Sequence, residues 1–93
     1  MTPERSGATT IAGRIETIDM RAVPFEVVEL VRADRVAAIT LTGADGRFEI
    51  STRLDDGRYE LRLVSRSFRA KQVVDIDGYE LTGLLLIASQ DPR

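Results

Sequence analysis

Hydrophobic and polar residues alternate along most of the chain in short segments that turn residues separate. In the clearest segment, Tyr59, Leu61 and Leu63 fall on one side of an extended backbone and charged residues fall on the other. Segments of this kind recur at the spacing typical of an all-β protein. The pattern predicts seven strands, at residues 9–16, 24–32, 35–41, 47–51, 58–66, 70–76 and 80–88.

Glycine and aspartate mark the turns between these segments. We expect Gly46 and Gly57 to adopt a positive φ, which glycine tolerates because it has no Cβ. Phe48 and Tyr59 each follow their glycine by two residues, so both should enter the core at equivalent heights. The residues predicted to lie in the core are Phe48, Tyr59, Leu61 and Leu63.

One window also allows a helical interpretation. Residues 26–38 contain few helix breakers, and Val27, Leu30 and Val31 partly match helical spacing. Asp34 would then fall on the apolar face of that helix, and valine favours strands. The strand interpretation is therefore preferred.

Length and charge limit the classes of protein that the chain can belong to. Its 93 residues fit one domain, predicted at residues 9–88 between polar tails at 1–8 and 89–93. The net charge of −2 gives no general attraction to nucleic acid or anionic membrane, and neither is predicted as a partner. No apolar run approaches the roughly 20 residues of a membrane span, and no signal peptide is recognisable. If the chain is full length, we expect it to be cytoplasmic.

The residue types that usually carry catalysis are missing. The chain has no cysteine and no histidine, so a thiol nucleophile and the usual general base near neutral pH are both absent. We therefore predict that the chain is not an enzyme and has no catalytic residues and no cofactor. The turn aspartates could in principle bind Ca²⁺, but aspartate is also a default turn residue and no EF-hand spacing occurs, so no metal is predicted. These aspartates are Asp45, Asp55, Asp56, Asp75 and Asp77.

Two turn motifs carry a resemblance to a known family. The segments at residues 42–50, TGADGRFEI, and 54–61, LDDGRYEL, resemble the signature of the carboxypeptidase regulatory-like family. The segment IAGRI at residues 11–15 resembles that family's opening strand. The resemblance covers roughly residues 10–88 and implies a seven-stranded, transthyretin-like (prealbumin-like) Greek-key β-sandwich. It also implies an accessory module that attaches to other proteins.

An immunoglobulin-like sandwich is the alternative fold. The segment DDGRY at residues 55–59 also fits the tyrosine corner that opens the next-to-last strand of immunoglobulin domains. Here two further predicted strands follow the strand that this corner opens, Leu61 stands in place of the second cysteine, and no tryptophan is present. We therefore favour the transthyretin-like topology.

The second predicted strand offers a candidate interaction surface. Val27 and Val31 lie opposite in parity to Val28 and Leu30, so both faces of this strand are apolar, although only one can meet the core. The loop at residues 16–23, the N-terminal tail, a second copy of the chain or another protein could cover the other face.

Arginines supply the remaining candidate site. Arg58, Arg62 and Arg66 share parity and could line an outer face, either as a dock for an acidic protein segment or as a solvated face with ion pairs. The predicted function is a protein-binding accessory module of carboxypeptidase regulatory-like type. The alternative is a structural protein that forms homo-oligomers, such as a homodimer, through its apolar strand face.

Overall fold

The computed structural model describes residues 8–90, which form eight strands and no helix. Within this range no segment has the helical structure that a membrane-spanning helix requires. The strands are β1 (Thr9–Thr17), β2 (Val27–Arg32), β3 (Arg35–Leu41), β4 (Arg47–Thr52), β5 (Gly57–Val64), β6 (Phe68–Arg69), β7 (Lys71–Ile76) and β8 (Glu80–Gln90).

The strands form two four-stranded sheets that pack as a sandwich. Sheet I has the order β4-β1-β8-β6 and sheet II the order β3-β2-β5-β7. β1 runs antiparallel to β4 and parallel to β8. An immunoglobulin domain would instead pair its first and second strands in one sheet and place the third in the other. The predicted all-β sandwich is confirmed, and the immunoglobulin-like alternative does not fit this strand order.

A single hydrophobic core lies between the two sheets. Phe48 of β4 is only 3% exposed, and the three predicted core residues of β5 are buried with it. The prediction from alternation is therefore confirmed for all four residues. The core cluster contains Ile11, Ile15, Val23, Val28, Leu30, Phe48, Ile50, Leu54, Tyr59, Leu61, Leu63, Val74, Ile76, Leu86 and Ala88.

The turns have the backbone geometry that their sequences predict. Gly46 and Gly57 have φ values of 78° and 148°. A Cβ at Gly46 would come within 2.6 Å of the carbonyl oxygen of Ile15, so space as well as conformation requires glycine there. The two-residue turn between β2 and β3 is unusual because Ala33 and Asp34 both have positive φ, 50° and 63°, without being glycine.

Two strand ends differ from the prediction for local reasons. β2 begins at Val27 rather than at Pro24, because Phe25 has a φ of 55° and its amide donates to the carbonyl oxygen of Thr42 at 3.1 Å. β5 ends at Val64 rather than at Arg66, because the Ser65 hydroxyl accepts the amides of residues 67 and 68 and turns the chain.

The short strand β6 was missed by the pattern, and it lengthens β8. Phe68 pairs with Gln90 and Arg69 with Ser89, so the strand continues two residues into the predicted C-terminal tail. The remainder of that tail, residues 91–93, lies outside the described residues, as does the predicted N-terminal tail except for Ala8.

Candidate functional site

The outer face of sheet II holds most of the predicted interaction residues. Because residues paired across adjacent strands share a face, the register identifies its members. Val27 of β2 pairs with Leu41 of β3 and with Val64 of β5, which gives one wholly apolar row at the end of the sheet. Glu29 pairs with Ile39 and with Arg62 in the next row.

Four aliphatic side chains form an apolar corner on this face: Val27, Ile39, Leu41 and Val64. Ile39 and Leu41 are 61% and 60% exposed, and Val64 is also exposed. Phe25 is 70% exposed and lies at the same end, since its backbone is bonded to Thr42. Grouped exposed aliphatic residues with a charged rim are typical of protein-binding surfaces.

The charges on the rest of the face pair with one another. Arg58 Nε lies 3.2 Å from Asp75 Oδ1, and Arg62 donates to Glu60 Oε1. The hydrogen bond from Arg62 is the main reason that the pKa of Glu60 is lowered. Desolvation opposes that hydrogen bond with a smaller effect, and the charges of Arg62 and Lys71 also lower the pKa. The face is therefore a mixture of aliphatic residues and paired charges rather than a basic surface for an acidic segment.

Two predicted site residues differ from expectation. Val31 pairs with Glu60 of β5 and so lies on the outer face of sheet II, but it is only 5% exposed, although it is not part of the core cluster. Arg66 lies in the bend after β5 and not on the strand, so it does not share a face with Arg58 and Arg62. Val27, Val31, Arg58 and Arg62 share the outer face.

The loop at residues 16–23 does not cover the apolar corner with its exposed side chains. Val23 is fully buried in the core, whereas Ile18 and Met20 are among the most exposed apolar residues of the described chain. Ile39, Leu41 and Val64 of the apolar corner are therefore exposed in the described part of the chain.

The edge strand β3 was missed as an interaction element. It pairs with β2 on one side only, and no charged residue follows Arg35 as far as Leu41. Edge strands of soluble proteins usually carry charges or proline that prevent pairing with other chains. The uncharged run from Val36 to Leu41 was visible in the sequence, but the pattern did not show that this strand lies at an edge.

The turn aspartates take part in local contacts. Asp45 lies 3.5 Å from Arg47 and accepts its amide hydrogen, and Asp56 accepts the amide of Gly78 at 3.1 Å. Across residues 8–90 no three acidic residues come together as metal ligands would. These contacts give Asp45 and Asp56 a structural role in their turns.

Comparisons with known proteins identify the fold. No protein-family model matches the chain, and no curated protein is similar to it in sequence. A solved structure, the 5-hydroxyisourate hydrolase of Klebsiella pneumoniae, is similar with a TM-score of 0.62 and 19% sequence identity. The similarity covers 89% of this chain and 98% of the hydrolase chain.

The fold is transthyretin-like.

This neighbour confirms the transthyretin-like sandwich, whereas the carboxypeptidase regulatory-like family remains a resemblance. It also contradicts the prediction that the chain is not an enzyme, because the similar structure is that of a hydrolase. The prediction relied on the missing histidine and cysteine of this chain. At 19% identity the similarity establishes the fold alone.

Proposed function

We propose that the chain is an accessory protein-binding module of the carboxypeptidase regulatory-like type. Its partner would dock on the apolar corner of sheet II and along the open edge of β3. This proposal is supported by two residues that belong to both surfaces. Ile39 and Leu41 lie in the apolar corner and also in the uncharged run from Val36 to Leu41 of the edge strand β3.

A partner could use both features at once. An extended segment placed beside β3 would form main-chain hydrogen bonds, which supply affinity with little dependence on sequence. The side chains of this segment on the outer face would contact Ile39 and Leu41. The neighbouring Glu29 and Arg62 would favour a partner with complementary charges at the rim of the surface.

The proposal is tested by capturing partners with three purified forms of the chain. The site variant is Ile39→Lys with Leu41→Lys, which places charge on both the corner and the edge. The matched control is Leu85→Lys with Ile87→Lys, because these two residues of sheet I are 47% and 51% exposed and lie on the opposite side of the sandwich.

We expect a specific partner to bind the parent and the control variant and to be lost from the site variant. The same partner, once purified, should protect amides of β3 from hydrogen exchange. Equal capture by the site variant, or protection confined to sheet I, would contradict the proposal.

A second candidate function is homo-oligomerisation through β3. The run from Ala38 to Leu41 has no charge, so antiparallel pairing of two copies would bring no like charges together. Light scattering after size-exclusion chromatography measures the mass directly. A dimer that the Ile39→Lys and Leu41→Lys variant converts to a monomer would favour this candidate, whereas a monomeric parent would exclude it.

A further inference from the structure

A cleft at one end of the sandwich contains three arginines. It lies between the β2–β3 turn and the connection from β4 to β5, and its volume is about 570 Å³. The cleft is shallow and open to solvent. The cleft is lined by Arg32, Ala33, Arg35, Val36, Ala37, Arg53, Leu54, Asp55 and Tyr59.

One of the three guanidinium groups is held in place. The Arg32 guanidinium lies over the ring of Tyr59, 5.2 Å from its centroid, and Nη1 donates to the Tyr59 hydroxyl at 3.2 Å. The same hydroxyl donates to the carbonyl oxygen of Asp55 at 2.8 Å. A Cβ on Gly57 would lie 2.9 Å from Nη2 of Arg32, so the glycine leaves room for this guanidinium.

The other two guanidinium groups are exposed and free of acidic partners. Neither Arg35 nor Arg53, nor Arg32 itself, lies within 4 Å of a carboxylate of residues 8–90. Five arginines outside the cleft do have an acidic partner: Arg14, Arg21, Arg47, Arg58 and Arg62.

The arrangement also places like charges together. Arg32 and Arg35 are directly opposite each other in the β2–β3 pairing. Like charges at such positions destabilise a sheet, and a bound anion would remove that repulsion. The three arginines and Asp55 leave the lining with a net charge of +2.

We propose that this cleft binds a small organic phosphate monoester. A phosphate monoester carries close to two negative charges at neutral pH, which matches the lining, and its oxygens match the planar fork of guanidinium donors. The exposed aliphatic side chains of Val36 and Ala37 would contact the organic group. The site is separate from the apolar corner, so this inference is independent of the proposed function.

The test is an NMR titration of the parent chain with phenyl phosphate. Benzoate, at the same ionic strength, supplies the aromatic group with a single charge, and inorganic phosphate supplies the anion without the aromatic group. Arg35→Gln and Arg53→Gln are the site variants. Arg47→Gln is the control, because Arg47 is exposed and lies outside the cleft lining.

We expect saturable binding of phenyl phosphate, with shifts at residues 32–37 and 53–55. Each site variant should weaken binding about tenfold, since a charge-assisted hydrogen bond contributes enough for that change, while the control should change it less than twofold. Arg35→Lys should restore part of the affinity. The Ile39→Lys and Leu41→Lys variant should bind as the parent does.

Three results would overturn the inference. The first is equal binding by the parent and both site variants, with circular dichroism showing that the variants are folded. The second is benzoate or inorganic phosphate binding as tightly as phenyl phosphate. The third is a set of shifts spread over arginines outside the cleft, which indicates screening of surface charge rather than a site.

Discussion

Single side chains in this sandwich were most predictable where the strand is regular. Alternation correctly predicted that Phe48 and Tyr59 face the core, because successive side chains of a strand point to opposite faces of the sheet. It did not predict the burial of Val31, because alternation places this residue on the outer face of its strand, where the β2–β5 register also puts it.

The contribution of the core can be measured on one phenylalanine. Phe48→Ala should lower the free energy of unfolding by about 3–5 kcal/mol, because it removes a large buried side chain and leaves a cavity. Denaturant titration gives this value. Phe25→Ala is the control, since that ring is exposed, and it should change the stability by less than about 0.5 kcal/mol. Similar losses for the two variants would show that Phe48 does not contribute as a core residue.

The Glu60–Arg62 pair predicts a pH effect of defined sign. The pKa of Glu60 is lowered in the fold, so this pair favours the folded state above the ordinary glutamate pKa and loses that effect as pH falls through the lowered value. Arg62→Gln should move the pKa of Glu60 back towards its ordinary value in a carboxyl NMR titration. Arg58→Gln should leave it unchanged, because Arg58 pairs with Asp75. An unmoved Glu60 in Arg62→Gln would contradict the assigned cause.

At the scale of elements, the seven longer strands were predicted, β3 with both of its ends, but several other strand ends were not. Hydrophobic alternation identifies the body of a strand, whereas its end depends on particular bonds such as those of Ser65. β6 has two residues, too few for any alternation to appear. Its pairing with β8 is a tertiary contact, so the sequence pattern carried no signal for it.

The contact between β1 and β8 predicts a steric requirement at Gly13. A Cβ there would lie 2.6 Å from the carbonyl oxygen of Leu84, beside the bulge where the two strands shift register. Gly13→Ala should therefore cost about 1–3 kcal/mol, as overpacking does. Gly43→Ala is the matched control, because its added Cβ would lie 3.3 Å from the side chain of Asp45 and 3.9 Å from the carbonyl oxygen of Arg47, with no closer contact. Thermal melting compares the two, and equal melting temperatures would argue against the close approach.

For the whole molecule, the sequence predicted a sandwich but not which strands are neighbours. Alternation shows that a strand has a buried face without showing its partner, and the order came only from the resemblance in two turn motifs. Only one residue of the apolar corner was predicted. Val27 was identified from its own strand, whereas Ile39 and Leu41 become part of the site only when β3 is known to be an edge strand.

The strand order predicts slow folding for a chain of this length. β1 pairs with β8, the last strand of the chain, so that Thr10 lies opposite Glu80. Such non-local pairing requires long loops to close before any contact forms, so refolding should take milliseconds to seconds. Stopped-flow fluorescence of the tyrosines measures it. Complete refolding in microseconds would mean that local contacts dominate.

The parallel pairing of β1 and β8 also determines how the molecule would respond to pulling. Force applied before Thr9 and after Gln90 would draw the two neighbouring strands past each other in opposite directions along their length. The backbone hydrogen bonds that join them from Thr10–Glu80 to Thr17–Ala88 would then be loaded together in shear, rather than opened one at a time. A domain held in this way should resist tension far better than its modest size suggests, and would transmit force along its long strands without unzipping.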